Sequence, residues 1–291
     1  MVSFIELSPW LQRFEAAWRD VQDRLYNEPT RLHAACRYAL AGQGKRIRPL
    51  LAMAAAEAVG SAWDKALPAA MALEFVHTYS LVHDDLPCMD DDDMRRGRAT
   101  THKVFDEATA LLVGDALLTD SFQILLQSTH LTAAAQVELV RALSEAAGGR
   151  GMVYGQDLDM HWTGRSGFTA QDLDAIHSNK TGALIAAACA MGAIAGEASA
   201  DGVERLRIFG SRLGLAFQII DDLLDNSAAT GKSQGKDAHS GKLTYLTIMS
   251  HAEASARAER LTTEALQDLL PFGEKGKALH GLAVQLLQRT R

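Results

Sequence analysis

Proline is absent from positions 88–270, a stretch of 183 consecutive residues. Proline breaks helices more strongly than any other residue, and alanine, which occurs 48 times in this chain of 291 residues, is the best helix former. Apolar residues recur at steps of three and four at 131–147 and 252–270, while the alternation typical of strands is scarce. No polar linker or repeat divides the chain. The sequence therefore predicts an all-α protein whose residues 1–291 form a single domain.

The charge and cysteine content restrict the partners and the compartment. Asp and Glu outnumber Lys and Arg by 36 to 29, a net charge of −7, whereas nonspecific nucleic-acid binders usually carry a basic stripe. The three cysteines, at 36, 88 and 189, follow no CxxC pattern and indicate free thiols in a reducing compartment. No secretory signal pattern is visible, and the longest apolar run, 183–196, is too short to span a bilayer. We therefore expect a cytoplasmic protein that neither binds nucleic acid nor inserts into membranes.

The first of two acidic clusters runs from Asp84 to Asp93 and holds six aspartates in ten residues. Pro87 disfavours helix at the residue before it, so the preceding apolar helix is expected to end just after Asp84 and Asp85. Carboxylates at a helix C-terminus are destabilised by the helix dipole and by one another. A bound cation would remove both problems.

The second acidic cluster lies within the segment FQIIDDLLD at 217–225. At about 100° per residue, Gln218, Asp221, Asp222 and Asp225 share one helix face within about 100°. The other residues are apolar, so this stripe is expected to be partly buried and costly without counter-charge. A solvated acidic face is the alternative for either cluster alone, but two clusters flanked by core-like residues favour bound cations. Ligand sets made only of oxygen suit Mg²⁺, which takes a few carboxylates together with water and phosphate.

Basic residues accompany the acidic clusters. Arginine matches phosphate oxygens in pairs and lysine supplies a point charge, so these residues together indicate a diphosphate site. The candidates are Lys45, Arg48, Arg95, Arg96, Lys180, Lys232, Lys236 and Lys242. Neutralisation of the aspartates is the alternative for Arg95 and Arg96, and a charged turn is the alternative for Lys45 and Arg48. His77, seven residues before Asp84, is on the same helix face, although a buried structural histidine fits equally well.

These segments resemble the two aspartate-rich motifs of trans-prenyl diphosphate synthases: DDLPCMD followed by DDDMRRG, and later FQIIDDLLD. The resemblance extends from GKRIRP at 44–49 to GKLTY at 241–245, and is to the bacterial farnesyl diphosphate (geranyltranstransferase) type. It implies the isoprenoid synthase fold, with antiparallel helices around a deep central cavity, and a homodimer. It also implies Mg²⁺-dependent condensation of isopentenyl diphosphate with dimethylallyl and geranyl diphosphate through an allylic carbocation.

The resemblance also implies residue roles. Three Mg²⁺ ions would be present with substrate. Asp84, Asp85 and Asp90 would hold Mg²⁺ on the allylic diphosphate, and Asp221, with Asp222 and Asp225 nearby, would hold another from the opposite wall. The diphosphate of isopentenyl diphosphate would be bound by Lys45, Arg48, His77 and Arg96. Arg95 would contact the allylic diphosphate, helped by Lys180, Lys232 and Lys242. Thr181 and Gln218 would place oxygen dipoles near the allylic cation.

Product length is implied by the residues four and five positions before the first motif, Ser80 and Tyr79. In the trans-prenyl diphosphate synthases that this chain resembles, bulky residues at these two positions close the cavity floor. The aromatic side chain of Tyr79 therefore implies a fifteen-carbon product. On a helical wheel Tyr79 is about 140° from Asp84 and Ser80 about 40°, so this assignment comes from the resemblance and not from geometry. A core-packing Tyr79 is the alternative, as is a geranyl or geranylgeranyl product.

The chain departs from the family pattern at three places that bear no charged ligand. Gln43 replaces a small residue, Tyr154 replaces a glycine before Gly155 and Gln156, and 226–228 replace a Gly-Asp turn. The segment 226–241 is polar, contains glycines and is our candidate lid.

Three other functions are weighed against the synthase. A class I terpene cyclase would carry an Asn/Ser/Glu metal motif in the second position and would not need Lys45, Arg48 and Arg96. A non-catalytic partner subunit would lose acidic or basic site residues, and both sets are intact here. A helical structural or interaction protein would leave both carboxylate clusters unexplained.

Overall fold

The computed structural model describes residues 8–42, 44–225 and 243–287. In the first half of the chain the α-helices are α1 Ser8–Leu25, α2 Arg31–Leu40, α3 Ile47–Ala58, α4 Leu67–Asp84, α5 Thr101–Val104, α6 Glu107–Leu126 and α7 Ala133–Ala147. In the second half they are α8 Met152–Trp162, α9 Ala170–His177, α10 Ala183–Ala195, α11 Ala200–Asp225, α12 His251–Asp268 and α13 Lys277–Leu287. Short 3-10 turns occupy Trp63–Ala66, Tyr245–Thr247 and Leu270–Gly276. The predicted all-α class is confirmed.

The centre of the molecule is built around α3, α4 and α10. Most residues of α3 and nearly all residues of α10 are buried, as expected of helices that are apolar on most of their faces. The helix α10 packs against α3, α4, α7 and α11, and α11 packs in turn against α12. At Gly192 a Cβ atom would lie 2.0 Å from the carbonyl oxygen of Ala52. Glycine therefore allows α10 to approach α3 closely enough to close the core.

A short antiparallel hairpin departs from the wholly helical prediction. Its strands are β1 Met94–Arg95 and β2 Arg98–Ala99. The two turn residues, Arg96 and Gly97, have φ angles of +52° and +77°, as the tight turns that join such strands require. Arg-Gly is a weaker hairpin signal than Asn-Gly, so this element was not predicted. The hairpin holds Arg95 and Arg96 beside the end of α4.

Within the part of the chain that the structure describes, the helix α6 is long and apolar enough by length and composition to cross a membrane. Core helices of globular proteins meet the same criterion, and α6 packs along α4 and also against α2, α5 and α7. This property alone therefore does not indicate a membrane span. The three cysteines carry free thiols, as predicted, with Cys36 and Cys189 buried and Cys88 exposed.

Candidate active site

A cavity of about 460 Å³ lies between α4, α6, α8 and a π-helical turn formed by Ser178–Gly182. Its polar lining contains several of the predicted site residues: Arg48, His77, Asp84, Lys180 and Thr181. Its apolar lining includes Tyr79, Leu111, Met152, Val153 and Met160, and Ser80 also faces it. The cavity therefore combines charged groups with an apolar chamber of a size suited to a small ligand.

The first aspartate cluster begins where α4 ends, as the sequence predicted. The helix stops at Asp84, and the amide of Asp90 donates a hydrogen bond to the carbonyl oxygen of Asp84 at 2.8 Å, so the chain turns back on itself. Burial raises the pKa of the half-buried Asp84 to about 6; the charge of Lys180 opposes this rise and that of Asp90 adds to it. Ionised Asp84 is therefore costly in this position unless a cation is near.

Asp85 follows Asp84 in the chain and is only 4% exposed. It accepts a hydrogen bond from Arg95 Nε at 2.5 Å, and the hairpin presents Arg95 for this contact. Burial raises the pKa of Asp85, and the hydrogen bond from Arg95 opposes that shift. Asp90 itself is exposed at the rim. The three aspartates assigned to the first metal site thus differ in environment. Asp84 is half-buried, Asp85 is paired with Arg95, and Asp90 is exposed to solvent.

A basic cluster of Arg46, Arg48 and Arg96 lies close enough to His77 for its charges to act on that side chain. Glu74 is a buried carboxylate whose charge acts on Arg46, Arg48 and Arg96. Burial lowers the pKa of Arg48, an effect offset by Glu74, and its buried Nε atom has no hydrogen-bond partner among the described residues. Burial and the charge of Arg48 hold the pKa of His77 well below its usual range, so His77 is neutral at pH 7. This excess of positive charge over Glu74 suits an anion.

Arg46 is a structural member of this cluster that the sequence reasoning left without a role. Its guanidinium donates to Glu15 at 2.8 Å and to Glu74 at 2.7 Å, and it lies 4.9 Å from the centre of the Trp18 ring. Its backbone is left-handed, with φ of 49°. Arg46 thereby fixes the backbone where α3 begins. The exposed Lys45 precedes it, and Arg48 follows in the first turn of the helix.

The π-helical turn carries Lys180 and Thr181 between the two aspartate clusters. Lys180 Nζ donates to Asp159 Oδ2 at 2.5 Å, and Thr181 Oγ1 donates to Gln218 Oε1 at 2.9 Å. A Cβ atom at Gly155 would lie 2.0 Å from the amide nitrogen of Lys180, so only glycine lets α8 cross the turn. Gln218 belongs to the second cluster, and the turn therefore links that cluster to the cavity that Asp84 lines.

The second aspartate cluster lies on an unbroken helix, as predicted, because α11 continues to Asp225. Asp221 and Asp222 are half-buried. One carboxylate oxygen of Asp222 accepts a hydrogen bond from the amide of Tyr245 at 2.8 Å. The sequence reasoning missed this partner, although Tyr245 ends the GKLTY segment that supported the resemblance. The side chain of Asp225, the residues Gln43, Lys232 and Lys242, and the candidate lid 226–241 lie outside the described residues.

Tyr154, which stands where the family pattern has glycine, lies at the surface of α8. The side chain is 42% exposed and points away from the core, while Gly155 makes the close approach and Gln156 lines the cavity. The tyrosine therefore occupies a surface position and leaves the packing of α8 on the π-helical turn intact.

The carboxylates fit a metal that is held jointly with a ligand. Over residues 8–42, 44–225 and 243–287 no group of three or more His, Cys, Asp or Glu side chains converges as a ready-made metal site. Mg²⁺ commonly takes one or two carboxylates and completes its shell with water and phosphate oxygens. The donors here are carboxylate oxygens with cationic side chains beside them, which suits Mg²⁺ bound together with a diphosphate.

The polyprenyl synthetase family model matches residues 29–271 of this chain. The chain belongs to that family. A farnesyl diphosphate synthase of Micrococcus luteus is 46% identical over 257 residues, covering 86% of this chain and 87% of that protein. Large subunit 1 of the heterodimeric chloroplastic geranylgeranyl pyrophosphate synthase of Arabidopsis thaliana is 46% identical over 253 residues, covering 84% of this chain and 68% of that protein. The crystal structure of a geranyltransferase from Helicobacter pylori, complexed with magnesium and isoprenyl diphosphate, has a TM-score of 0.78 and 31% identity, and covers 99% of this chain and 98% of its own.

These similarities confirm the trans-prenyl diphosphate synthase resemblance and the isoprenoid synthase fold. The protein is a prenyltransferase of the farnesyl and geranylgeranyl diphosphate synthase type. The interpretation as a structural protein is excluded. Because similar proteins include both farnesyl and geranylgeranyl synthases, family membership fixes the type of reaction and not the length of the product.

Proposed function

We propose that the protein is a farnesyl diphosphate synthase that condenses isopentenyl diphosphate first with dimethylallyl and then with geranyl diphosphate, releasing diphosphate. The observation that carries this proposal is the position of Tyr79. Its ring lines the cavity that Asp84 also lines, and it is 5% exposed. The Tyr79 ring meets the His83 ring edge-on with centroids 5.8 Å apart, which supports it as a wall of the chamber. A chain that grows away from Asp84 would meet this wall.

The basic cluster is assigned to isopentenyl diphosphate. Arg48, Arg96 and the exposed Lys45 supply positive charge, and neutral His77 supplies a ring nitrogen for a hydrogen bond. Protonating His77 is unfavourable because arginines surround it and burial disfavours its charged form. His77 is therefore a poor acceptor for the proton released after condensation. That proton would go to the departing diphosphate instead.

The allylic diphosphate is assigned to the space beside Asp84, Asp85 and Asp90, with Asp221 on the opposite wall and Asp222 and Asp225 near it. Three Mg²⁺ ions are proposed to be held there with substrate, where they would neutralise the charge that develops on the leaving diphosphate. Asp85 orients Arg95 and Asp159 orients Lys180, so both cations would contact the diphosphate without first rearranging. Lys232 and Lys242 are proposed to assist them.

Thr181 and Gln218 are assigned to the allylic cation. The Thr181 hydroxyl donates a hydrogen bond to Gln218 Oε1, so the lone pairs of the Thr181 oxygen remain for contact with a positive carbon. The apolar side chains of α6 and α8 that line the cavity offer no polar groups to hold water near the cation, which water would otherwise capture.

A homodimer is proposed because α6 exposes large apolar residues. Leu112 and Leu126 are each 54% exposed and lie about 40° apart around the helix axis. Exposed apolar side chains grouped on one face often mark association surfaces. Sedimentation is expected to give twice the chain mass of 31.4 kDa; a single-chain mass would contradict the dimer. A cytoplasmic location and the absence of nucleic-acid partners and membrane insertion also stay predictions.

The product assay tests the proposed function. Purified protein is incubated with isopentenyl diphosphate, Mg²⁺ and each of the dimethylallyl, geranyl and farnesyl diphosphates, and the dephosphorylated products are separated by chromatography. A fifteen-carbon product from the first two primers, with no extension of the third, is expected. A twenty-carbon product would favour the geranylgeranyl alternative, and no product from any primer would contradict the activity or indicate a non-catalytic subunit.

A further inference from the structure

The carboxylate of Asp222, in the second aspartate cluster, binds the backbone of a turn from a later part of the chain. Asp222 Oδ2 accepts a hydrogen bond from the amide of Tyr245 at 2.8 Å, across 22 intervening residues. Tyr245 is the first residue of the 3-10 turn Tyr245–Thr247, whose opening amides lack partners within the turn. Asp222 therefore caps a turn that belongs to a distant part of the chain.

Helix geometry sends the two carboxylates in different directions. Taking Gln218 as the reference, Asp222 is about 40° to one side of the helix axis and Asp221 about 60° to the other. Gln218 contacts Thr181, which lines the cavity. Asp221 and Asp222 thus leave α11 about 100° apart, and Asp222 is on the side where α9 and the 3-10 turn contact the helix.

A buried network holds the partner of Asp222 in place. Tyr245 is fully buried, and its hydroxyl donates to Asp174 Oδ1 at 2.6 Å. Arg257 donates to the other oxygen of Asp174 at 2.5 Å, and its guanidinium lies 5.4 Å from the centre of the Tyr245 ring. The carboxylate of Asp174 is thereby matched by one cation and one hydroxyl. The network joins α9, α12 and the turn Tyr245–Thr247.

His177 completes the surroundings of Asp222. Its ring packs on Tyr245 with centroids 5.3 Å apart, and its Nε2 atom lies 3.9 Å from Asp222 Oδ2. That nitrogen is buried and has no hydrogen-bond partner among the residues described. The Tyr245 amide and the His177 ring thus flank Asp222 Oδ2 beside the turn.

We propose that Asp222 is a positioning residue whose carboxylate fixes the turn at Tyr245. The inference rests on the proposed function, in which Asp221 is the metal ligand of this pair and Asp222 lies near it. One oxygen of Asp222 is committed to the Tyr245 amide, and the network from Tyr245 through Asp174 to Arg257 keeps that contact. The negative charge of Asp222 is secondary, since an amide oxygen can accept the same hydrogen bond.

The first experiment compares Asp222→Asn with the matched control Asp221→Asn. The probe is inorganic diphosphate titrated in the presence of Mg²⁺ and followed by calorimetry, so no turnover is needed. Asp222→Asn is expected to change the affinity by no more than about threefold, whereas Asp221→Asn should weaken it by about tenfold or more. An equal loss in both variants would overturn the inference. Unchanged affinity in both would instead contradict the metal site of the proposed function.

The second experiment reads the turn directly. Hydrogen exchange of the Tyr245 amide is measured in the wild type, in Asp222→Asn and in Asp222→Ala. Alanine removes the acceptor and should speed exchange by about tenfold or more, while asparagine should restore most of the protection. Tyr245→Phe, which loses only the bond to Asp174, should give intermediate exchange and serves if the alanine variant fails to fold. Exchange that is the same in all the folded variants would overturn the positioning role.

Discussion

Asp84 is half-buried at the end of α4, beside Lys180 and the two carboxylates assigned to the same metal site. Burial of the ionised Asp84 carboxylate destabilises the protein without a bound cation. The same burial strengthens the attraction between that carboxylate and a bound cation, because water is excluded. Asp85 and Asp222 have the same side chain as Asp84, but Asp85 is bound by Arg95 and Asp222 by the Tyr245 amide. The surroundings of each aspartate, more than its presence in a motif, determine its role.

The raised pKa of Asp84 predicts a trade between stability and binding. Because the folded-state pKa is about 6, above the ordinary value near 3.9, the unfolded chain ionises first and stability falls as pH rises from about 4 to 6. Asp84→Asn removes this cost and should raise the melting temperature at pH 8 by about 2 °C or more, with little gain at pH 4. Calorimetric melting of both proteins without Mg²⁺ checks this. If the variant's gain in melting temperature over wild type is no larger at pH 8 than at pH 4, the prediction is wrong.

Tyr79 is predicted to limit product length. Tyr79→Ala removes the ring that lines the cavity below Asp84, so products of twenty carbons or more should form in place of the fifteen-carbon product. Tyr79→Phe keeps the ring and is the control, expected to preserve the product. Chromatography of the dephosphorylated products measures the outcome. If the alanine variant still stops at fifteen carbons, another residue limits the chain.

At the scale of elements, the crossing of α8 over the π-helical turn fixes where Lys180 and Thr181 lie. The turn sits between α9 and α10, and α8 can approach it only because position 155 is glycine. The sequence predicted the helices and the loss of helix after Asp85, since proline and apolar spacing are local signals. It did not predict the π-helical turn or the Tyr245–Asp222 contact, because neither leaves a local pattern.

Gly155→Ala tests this crossing. The added methyl group would meet the backbone of Lys180 at 2.0 Å, so α8 or the turn must shift, at a cost of about 2 kcal/mol or more. Turnover should fall further than the loss of folded protein accounts for, because Lys180 and Thr181 move. Gly149→Ala, where a Cβ atom has no neighbour within 4 Å, is the matched control. Equal unfolding midpoints and turnover in both variants would contradict the requirement for glycine.

At the scale of the whole molecule, the fold brings segments far apart in sequence to one cavity. Arg48, Asp84 and Lys180 come from three different parts of the chain and line it together. The fold class and these residues were predictable because the two aspartate motifs and the basic segments resemble one family. The structural roles of Arg46 and Glu74 were not predictable, because their pairing across 28 positions depends on how α3 and α4 pack.

The central claim is that the two aspartate clusters bind divalent ions and a diphosphate between them. Crystals grown with Mn²⁺ in place of Mg²⁺ and with inorganic diphosphate would show the ions directly by anomalous scattering. We expect ions bound to the diphosphate on one side by Asp84 and on the other by Asp221. Ions attached to only one cluster, or diphosphate bound elsewhere on the molecule, would contradict the claim.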